Sequence, residues 1–220
     1  KAALVVQKQG GTDQYINRLV TLVLRLRKEP PAASIHMLAI RNVAALLEDD
    51  PQRQQQFRQL LEEHLQFFET GATLDQARVW LGALAQREGK WDEAIALYMK
   101  VASTHRQFPA VLIQFEQCWR QKLREMDAML FVQPPHPLVP AVNYLRGLVT
   151  NSQGEWLTQW DVGSRQVVLT LTGFQLQLPN PPYEEISSLL ERASIGEPEA
   201  VWVSAAHSLR IVALVAQGQR

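Results

Sequence analysis

Residues 75–102 read DQARVWLGALAQREGKWDEAIALYMKVA, and this stretch decides the fold that the sequence predicts. Apolar side chains recur at helical spacing on both sides of Gly89, and the second half opens at Trp91. A glycine in this place is typical of the left-handed residue that ends a helix. The small residues Gly82 and Ala94 would let two helix backbones approach closely. The stretch therefore predicts a helical hairpin that packs against further hairpins.

Two residue pairs in this hairpin match a known repeat pattern. Leu81-Gly82 and the pair Ala94 and Tyr98 correspond to the L-G and A-x3-F elements of that pattern, with Tyr in place of Phe. Gly89 stands where its turn glycine usually stands. The hairpin thus resembles a tetratricopeptide repeat, a helix–turn–helix unit of about 34 residues.

The resemblance covers one clear unit, residues 75–108. Within it the sequence departs from the repeat pattern at three places, since Arg78 replaces Trp, Ala85 replaces Tyr and Arg106 replaces the closing Pro. Two degenerate echoes extend the resemblance along the chain.

The echoes are short segments with a glycine in the same position. AQREGKW, TNSQGEW and VAQGQR contain Gly89, Gly154 and Gly218, which lie 65 and 64 residues apart. Each spacing is close to two repeats, which predicts a helical-repeat array. The other interpretation is an ordinary helical domain in which these glycines recur by coincidence.

The predicted fold class is all-α. We expect about ten helices, arranged as an α-solenoid of stacked antiparallel hairpins in a right-handed superhelix, as the resemblance implies. N-terminal hairpins occupy residues 1–133, a proline-rich loop follows at 134–140, and further hairpins occupy 141–220, in one continuous array.

One segment is ambiguous between helix and strand. Residues 166–178, QVVLTLTGFQLQL, have a β-rich composition, and Gly173 could turn a small β-hairpin there. A helical stripe fits the same region, and we favour helix because the repeat requires it. The stripe comprises Trp156, Trp160, Val167, Leu171, Phe174 and Leu178.

Both ends of the chain are also predicted to be helical. Residues 1–9 are apolar enough to form the end of a helix. The last helix is expected to bury five side chains at helical spacing: Trp202, Ala205, Leu209, Val212 and Ala216. The last echo, VAQGQR, ends just after its glycine, so we expect the chain to be part of a longer protein.

Composition narrows the functional classes. The 220 residues include 22 Lys+Arg and 22 Asp+Glu, a net charge of zero that lacks the basic footprint of a nucleic-acid binder. No apolar run is long enough to span a membrane. The single cysteine, Cys118, excludes an internal disulfide within one chain and leaves the compartment open.

The sequence contains no motif for catalysis, metal binding or cofactor binding. Its five histidines are scattered, and GxSxG, P-loop, GxGxxG and zinc-ligand spacings are absent. We therefore predict no enzyme, metal or cofactor. An enzyme would need groups such as His64, Glu62 and Asp92 to converge in a pocket, and His64 is expected to be a packed histidine.

The predicted function is that of a protein–protein interaction scaffold, or adaptor, that binds a partner peptide or helix in a concave groove. In tetratricopeptide repeats the first helix of each hairpin lines that groove, so the resemblance implies a partner-binding set of Gln76, Val79, Ala83, Gln86, Arg87, Tyr144 and Asn151. The partner is expected to be a protein or peptide rather than a nucleic acid, no membrane span is expected, and the oligomeric state stays open. The alternative is a helical dimerisation or regulatory domain of a larger enzyme or secretion-type assembly.

Overall fold

A computed structural model describes most of the chain. The described residues are 12–26, 29, 31–47, 51–68, 71–126, 134–196 and 198–218. They form ten α-helices and contain no β-strand, which confirms the predicted all-α class. The helical segment predicted at residues 1–9 lies outside the described residues.

The ten helices are short to medium in length. They are α1 (Thr12–Leu26), α2 (Ala32–Ala44), α3 (Pro51–Phe67), α4 (Ala72–Arg87), α5 (Trp91–Tyr98), α6 (Phe108–Glu125), α7 (Val139–Leu148), α8 (Val162–Gln175), α9 (Tyr183–Ala193) and α10 (Ala200–Ala216). No helix in the described part of the chain is both long and apolar enough to cross a membrane.

Several helices begin at residues suited to a first turn. Pro51 is the first residue of α3, and Pro109 and Pro140 lie in the first turns of α6 and α7, where the missing N–H costs no hydrogen bond. Asp161 caps α8: its carboxylate accepts a hydrogen bond from the Ser164 N–H, and the Asp161 N–H donates to the Ser164 hydroxyl.

The ambiguous segment is helical, so the β-hairpin alternative at 166–178 is wrong. The predicted helical stripe is nevertheless longer than the helix, because α8 starts at Val162. Trp156 precedes it and forms an isolated antiparallel bridge with Thr150, and Trp160 lies in the loop just before the cap. The favourable cap at Asp161 determines where the helix begins.

The chain divides into two compact units, Lys1–Val101 and Ala102–Arg220, here unit 1 and unit 2. In unit 1 each helix from α1 to α4 packs against the next one along the chain, and α2 also contacts α4. The core consists of apolar residues from the first four helices, namely Ile16, Met37, Ile40, Val43, Phe57, Leu60, Leu61, Ala77, Leu81 and Leu84.

Unit 2 is organised around one central helix. Four other helices, α6, α7, α9 and α10, all contact α8, and α9 also contacts α10. Its two faces bury Val167, Val168, Leu171 and Phe174. The Phe174 ring lies 6.2 Å from that of Phe115 on α6.

The buried face predicted for the last helix is partly wrong. Trp202 is buried as expected, but Val212 and Ala216 are exposed, and Ala206 and Ala213 lie in the core instead. Because α10 is apolar on almost every side, periodicity alone does not identify the face that packs.

Candidate functional site

The residues predicted to line a groove on α4 differ in their accessibility. Gln76 is buried, Val79 and Gln86 are half-buried, and Ala83 and Arg87 are exposed. Val79, Ala83, Gln86 and Arg87 lie on one side of α4, because residue 83 is four positions from 79 and 87 and three from 86. They form one accessible stripe along the helix, called here the α4 stripe. Gln76 offers almost no surface to a partner.

Close packing between α4 and α5 positions this stripe. Gly82 faces the ring of Tyr98, and a Cβ added at Gly82 would lie 2.6 Å from Tyr98 Cε1. The Tyr98 hydroxyl donates a hydrogen bond of 3.1 Å to Gln86 Oε1, which orients that amide. The glycine is therefore what allows the aromatic ring to lie directly on the α4 backbone.

The end of α4 is fixed by a left-handed glycine. Gly89 has φ +71°, its N–H donates to Gln86 O, and the Lys90 N–H reaches back to Ala85 O at 2.9 Å. This pair of bonds is the Schellman arrangement, which satisfies carbonyls at a helix end. It also turns the chain directly into α5, whose first residue is Trp91.

Two arginines form ion pairs and hydrogen bonds with the α4–α5 hairpin, one from α3 and one from within the hairpin. Arg58 of α3 pairs with Glu88 at 2.9 Å and with Glu93 at 2.8 Å. Burial alone would lower the pKa of Arg58, but the hydrogen bonds to Glu93 and Glu88 raise it above its usual value. Arg78 pairs with Asp75 at 2.8 Å and donates to the carbonyl of Lys100, just beyond α5.

The two predicted site residues of unit 2 have local structural roles. Tyr144 on α7 is half-buried, its ring lies 5.5 Å from that of Phe115, and burial raises the pKa of its hydroxyl to about 12. Asn151 lies beyond the end of α7, where its side-chain oxygen accepts hydrogen bonds from the N–H groups of Gln153 and Glu155. The structure therefore groups the α4 residues on one helix and places these two in separate environments.

A cavity of about 460 Å³ lies at the start of α8 in unit 2. Hydroxyl, amide, carboxylate and aromatic groups line it, and among them are Ser103, Thr104, Gln159, Trp160, Asp161 and Ser164. The backbone N–H and hydroxyl of Ser164 hold the pKa of Asp161 below its usual range, so the carboxylate is charged near neutral pH. The D-x-x-S pattern at 161–164 was the available sequence signal for the cap beside this cavity.

Sequence reasoning also missed a buried pair of histidines. His36 on α2 and His64 on α3 approach with their Nδ1 atoms 3.1 Å apart, and their rings stack with centroids 5.3 Å apart. Both side chains are buried, as predicted for His64, and burial lowers the pKa of each to about 4. At neutral pH the pair is uncharged and makes one internal hydrogen bond, with roles that depend on the tautomers.

The groups that an enzyme would have required have different neighbours. His64 contacts His36 and Phe68, whereas Glu62 pairs with Arg58 at 3.6 Å. Within the described ranges, no group of three or more His, Cys, Asp or Glu residues is arranged to hold a metal ion.

No family model matches this sequence, and no curated protein is similar to it. Among the residues that the sequence predicted to bind a partner, those of the α4 stripe are accessible and lie together on one helix. Its residues come from one rigid helix, which is held at its middle by Tyr98 and at its end by Gly89.

Proposed function

We propose that this chain is a protein–protein interaction scaffold whose α4 stripe binds a peptide or helix of a partner. One observation carries the proposal: Val79, Ala83, Gln86 and Arg87 are accessible on a helix that is fixed beneath them. A surface held rigid before binding loses little conformational entropy when a partner docks.

The packing order of unit 1 supports a helical-repeat architecture. Each of its helices covers the apolar face of the next helix along the chain, which is how stacked hairpins bury a continuous core. We include in the proposal a right-handed, tetratricopeptide-like superhelix with α4 on its concave side, as the resemblance at residues 75–108 implies.

The chemistry of the stripe specifies the kind of partner. The small side chain of Ala83 at its centre allows close approach of a second backbone, and half-buried Val79 offers apolar contact. Gln86 presents an amide, and Arg87 places a positive charge at the end of the helix. The expected ligand is a short amphipathic segment with small apolar residues and a carboxylate that pairs with Arg87.

Selection from a random peptide library against the immobilised chain tests the proposal. Peptides selected by the unaltered chain should bind at least tenfold more weakly to Ala83→Glu, which blocks close approach, and to Arg87→Glu, which reverses the charge. The matched control is Arg41→Glu, because Arg41 is an exposed arginine in the last turn of α2 in the same unit. It should leave binding unchanged.

Circular dichroism of each variant shows whether the fold is retained, which is expected because both α4 positions are exposed. If no peptide is enriched, or if enriched peptides bind Ala83→Glu and Arg87→Glu as well as the unaltered chain, the α4 stripe is not a binding surface.

A further inference from the structure

The last helix of unit 2 has a second apolar face that nothing in the described structure covers. On one side of α10, Trp202, Ala206 and Ala213 are buried in the unit. On another side four large apolar residues are exposed, namely Val201 (81%), Ile211 (60%), Val212 (53%) and Val215 (67%).

These four residues share one side of the helix with three small ones. At about 100° per residue, Ser204 and Ser208 fall between them on the helix surface, and half-buried Ala205 lies at the edge next to Val212. Arg210, by contrast, lies on nearly the opposite side of α10 from Ser208. The exposed side is therefore an uncharged surface of small and β-branched residues, called here the α10 face.

The α10 face is comparable in size to the largest apolar patch of a typical monomeric protein, and such patches are often functional. From their exposed fractions, the four large side chains present roughly 400 Å² of apolar area, within the range of the largest patches on monomeric proteins. Two such faces, with the small residues between them, would bury on the order of 1,000 Å² in total, the lower limit for a specific interface.

The face is complementary to itself when two copies run antiparallel. A two-fold axis at Ser208 places small residues of one copy opposite large residues of the other, as a two-fold interface between identical surfaces requires. The facing pairs across this axis are Ser208 with Ser208, Ser204 with Val212, Ala205 with Ile211, and Val201 with Val215. The small residues at the centre permit a short distance between the helix axes.

Electrostatics favour this direction over the parallel one. In an antiparallel pair, the N-terminus of each α10, preceded by Glu199, lies beside the C-terminus of the other copy, so opposite ends of the two helix dipoles meet. A parallel pair would place like ends together. No charged side chain of the α10 face opposes this contact, because the face has none.

We propose that the α10 face is a homodimer interface, in which a second copy of this chain docks its own α10 antiparallel about Ser208. The occupant is thus the chain itself, and the small area is typical of a transient rather than an obligate dimer. This interface is separate from the α4 stripe, and its inference does not depend on the proposed scaffold function.

Cysteine cross-linking of the full chain tests the two-fold axis directly. Ser208→Cys places two thiols across the axis, and mild oxidation with copper–phenanthroline in air should link the two copies within minutes. The matched control is Arg210→Cys, which is exposed on the same helix but points away, and it should cross-link at least tenfold more slowly. The native Cys118 is buried, and burial raises its pKa to about 11, so it does not compete.

Sedimentation equilibrium over a hundredfold range of concentration provides the second measurement. The unaltered chain should shift from monomer mass toward dimer mass as concentration rises. Val212→Arg should stay monomeric with an unchanged circular dichroism spectrum, because Val212 is exposed and plays no part in the core.

Three results would overturn the proposal. They are a chain that is monomeric throughout, a dimer that Val212→Arg leaves intact, and equal cross-linking rates for the two cysteine variants. Binding of a different protein to the α10 face of a monomeric chain would also overturn it. Arg87→Glu should leave dimerisation unchanged and Val212→Arg should leave peptide binding unchanged, so failure of one proposal is distinguishable from failure of the other.

Discussion

The buried histidine pair makes the stability of unit 1 depend on pH. His36 and His64 are almost fully removed from solvent, and the Phe68 ring lies 4.7 Å from that of His64. The pKa of both histidines is lowered from 6.5 to about 4, chiefly by burial; for His64 the positive charge of a protonated His36 is a second, smaller cause of this shift. Glu63 lies 3.9 Å from His36 Nε2, which is too far for a strong hydrogen bond that would offset burial.

The sign of the effect follows from proton binding. Between pH 6.5 and about 4 the unfolded chain binds protons at these histidines that the folded chain does not bind, so folding stability falls as pH falls. The uncharged pair makes its full contribution to folding stability above about pH 7. Below about pH 4 the pair causes no further loss of stability. The difference in pKa corresponds to roughly 3 kcal/mol per histidine. The loss per pH unit is greatest at about pH 5, between the two pKa values, where the unfolded chain is protonated at both histidines and the folded chain at neither.

Nuclear magnetic resonance titration of the histidine ring protons, combined with urea unfolding between pH 7 and pH 4.5, measures both quantities. Replacing both histidines by leucine should flatten the pH dependence of unfolding, because two apolar groups of similar volume replace the paired rings. His207→Leu, at an exposed position in α10, serves as the control and should leave the dependence intact. A folded-state titration midpoint near 6.5 for either buried histidine would refute the reasoning.

Three further tests of the local geometry compare variants by urea unfolding. Gly82→Ala should destabilise unit 1 by about 1–3 kcal/mol because its Cβ would overlap the Tyr98 ring. Gly147→Ala, in a helix with open space around it, should instead stabilise unit 2 by about 0.5–1 kcal/mol. Equal effects of the two substitutions would exclude the overlap as the cause. Asp161→Ala should cost about 1 kcal/mol through loss of the helix cap, and an Asn at this position should restore most of it. Arg58→Met should cost about 1 kcal/mol at low salt and less in 1 M salt, since its three glutamate partners are partly exposed. A salt-independent cost would instead indicate lost packing.

Local patterns predicted the helices well. Trp91 starts α5, at the residue where the second half of the hairpin was expected to open. Gly89, Gly154 and Gly218 all have positive φ, as a turn glycine requires. The echo is weaker than the first unit, however, because the residues after Gly154 form a bridge and a loop before α8 begins.

Contacts between distant residues could not be read from the sequence. His36 and His64 are 28 positions apart, and only the packing of α2 on α3 brings them together. The same holds for α10, where one apolar face packs into the core and Val212 lies on the other, exposed face. The groove residues show a similar limit, since the helical pattern did not reveal that Gln76 would be buried.

The central position of α8 has a consequence for the rate at which unit 2 folds. For α6 to dock on α8, the chain must close a loop that runs from residue 125 to residue 162 and includes the whole of α7. In unit 1, by contrast, neighbouring helices meet across connections of a few residues, so loop closure costs little entropy. Unit 1 should therefore refold faster than unit 2 after dilution from urea, and the slower phase should report on the aromatic contact between α6 and α8.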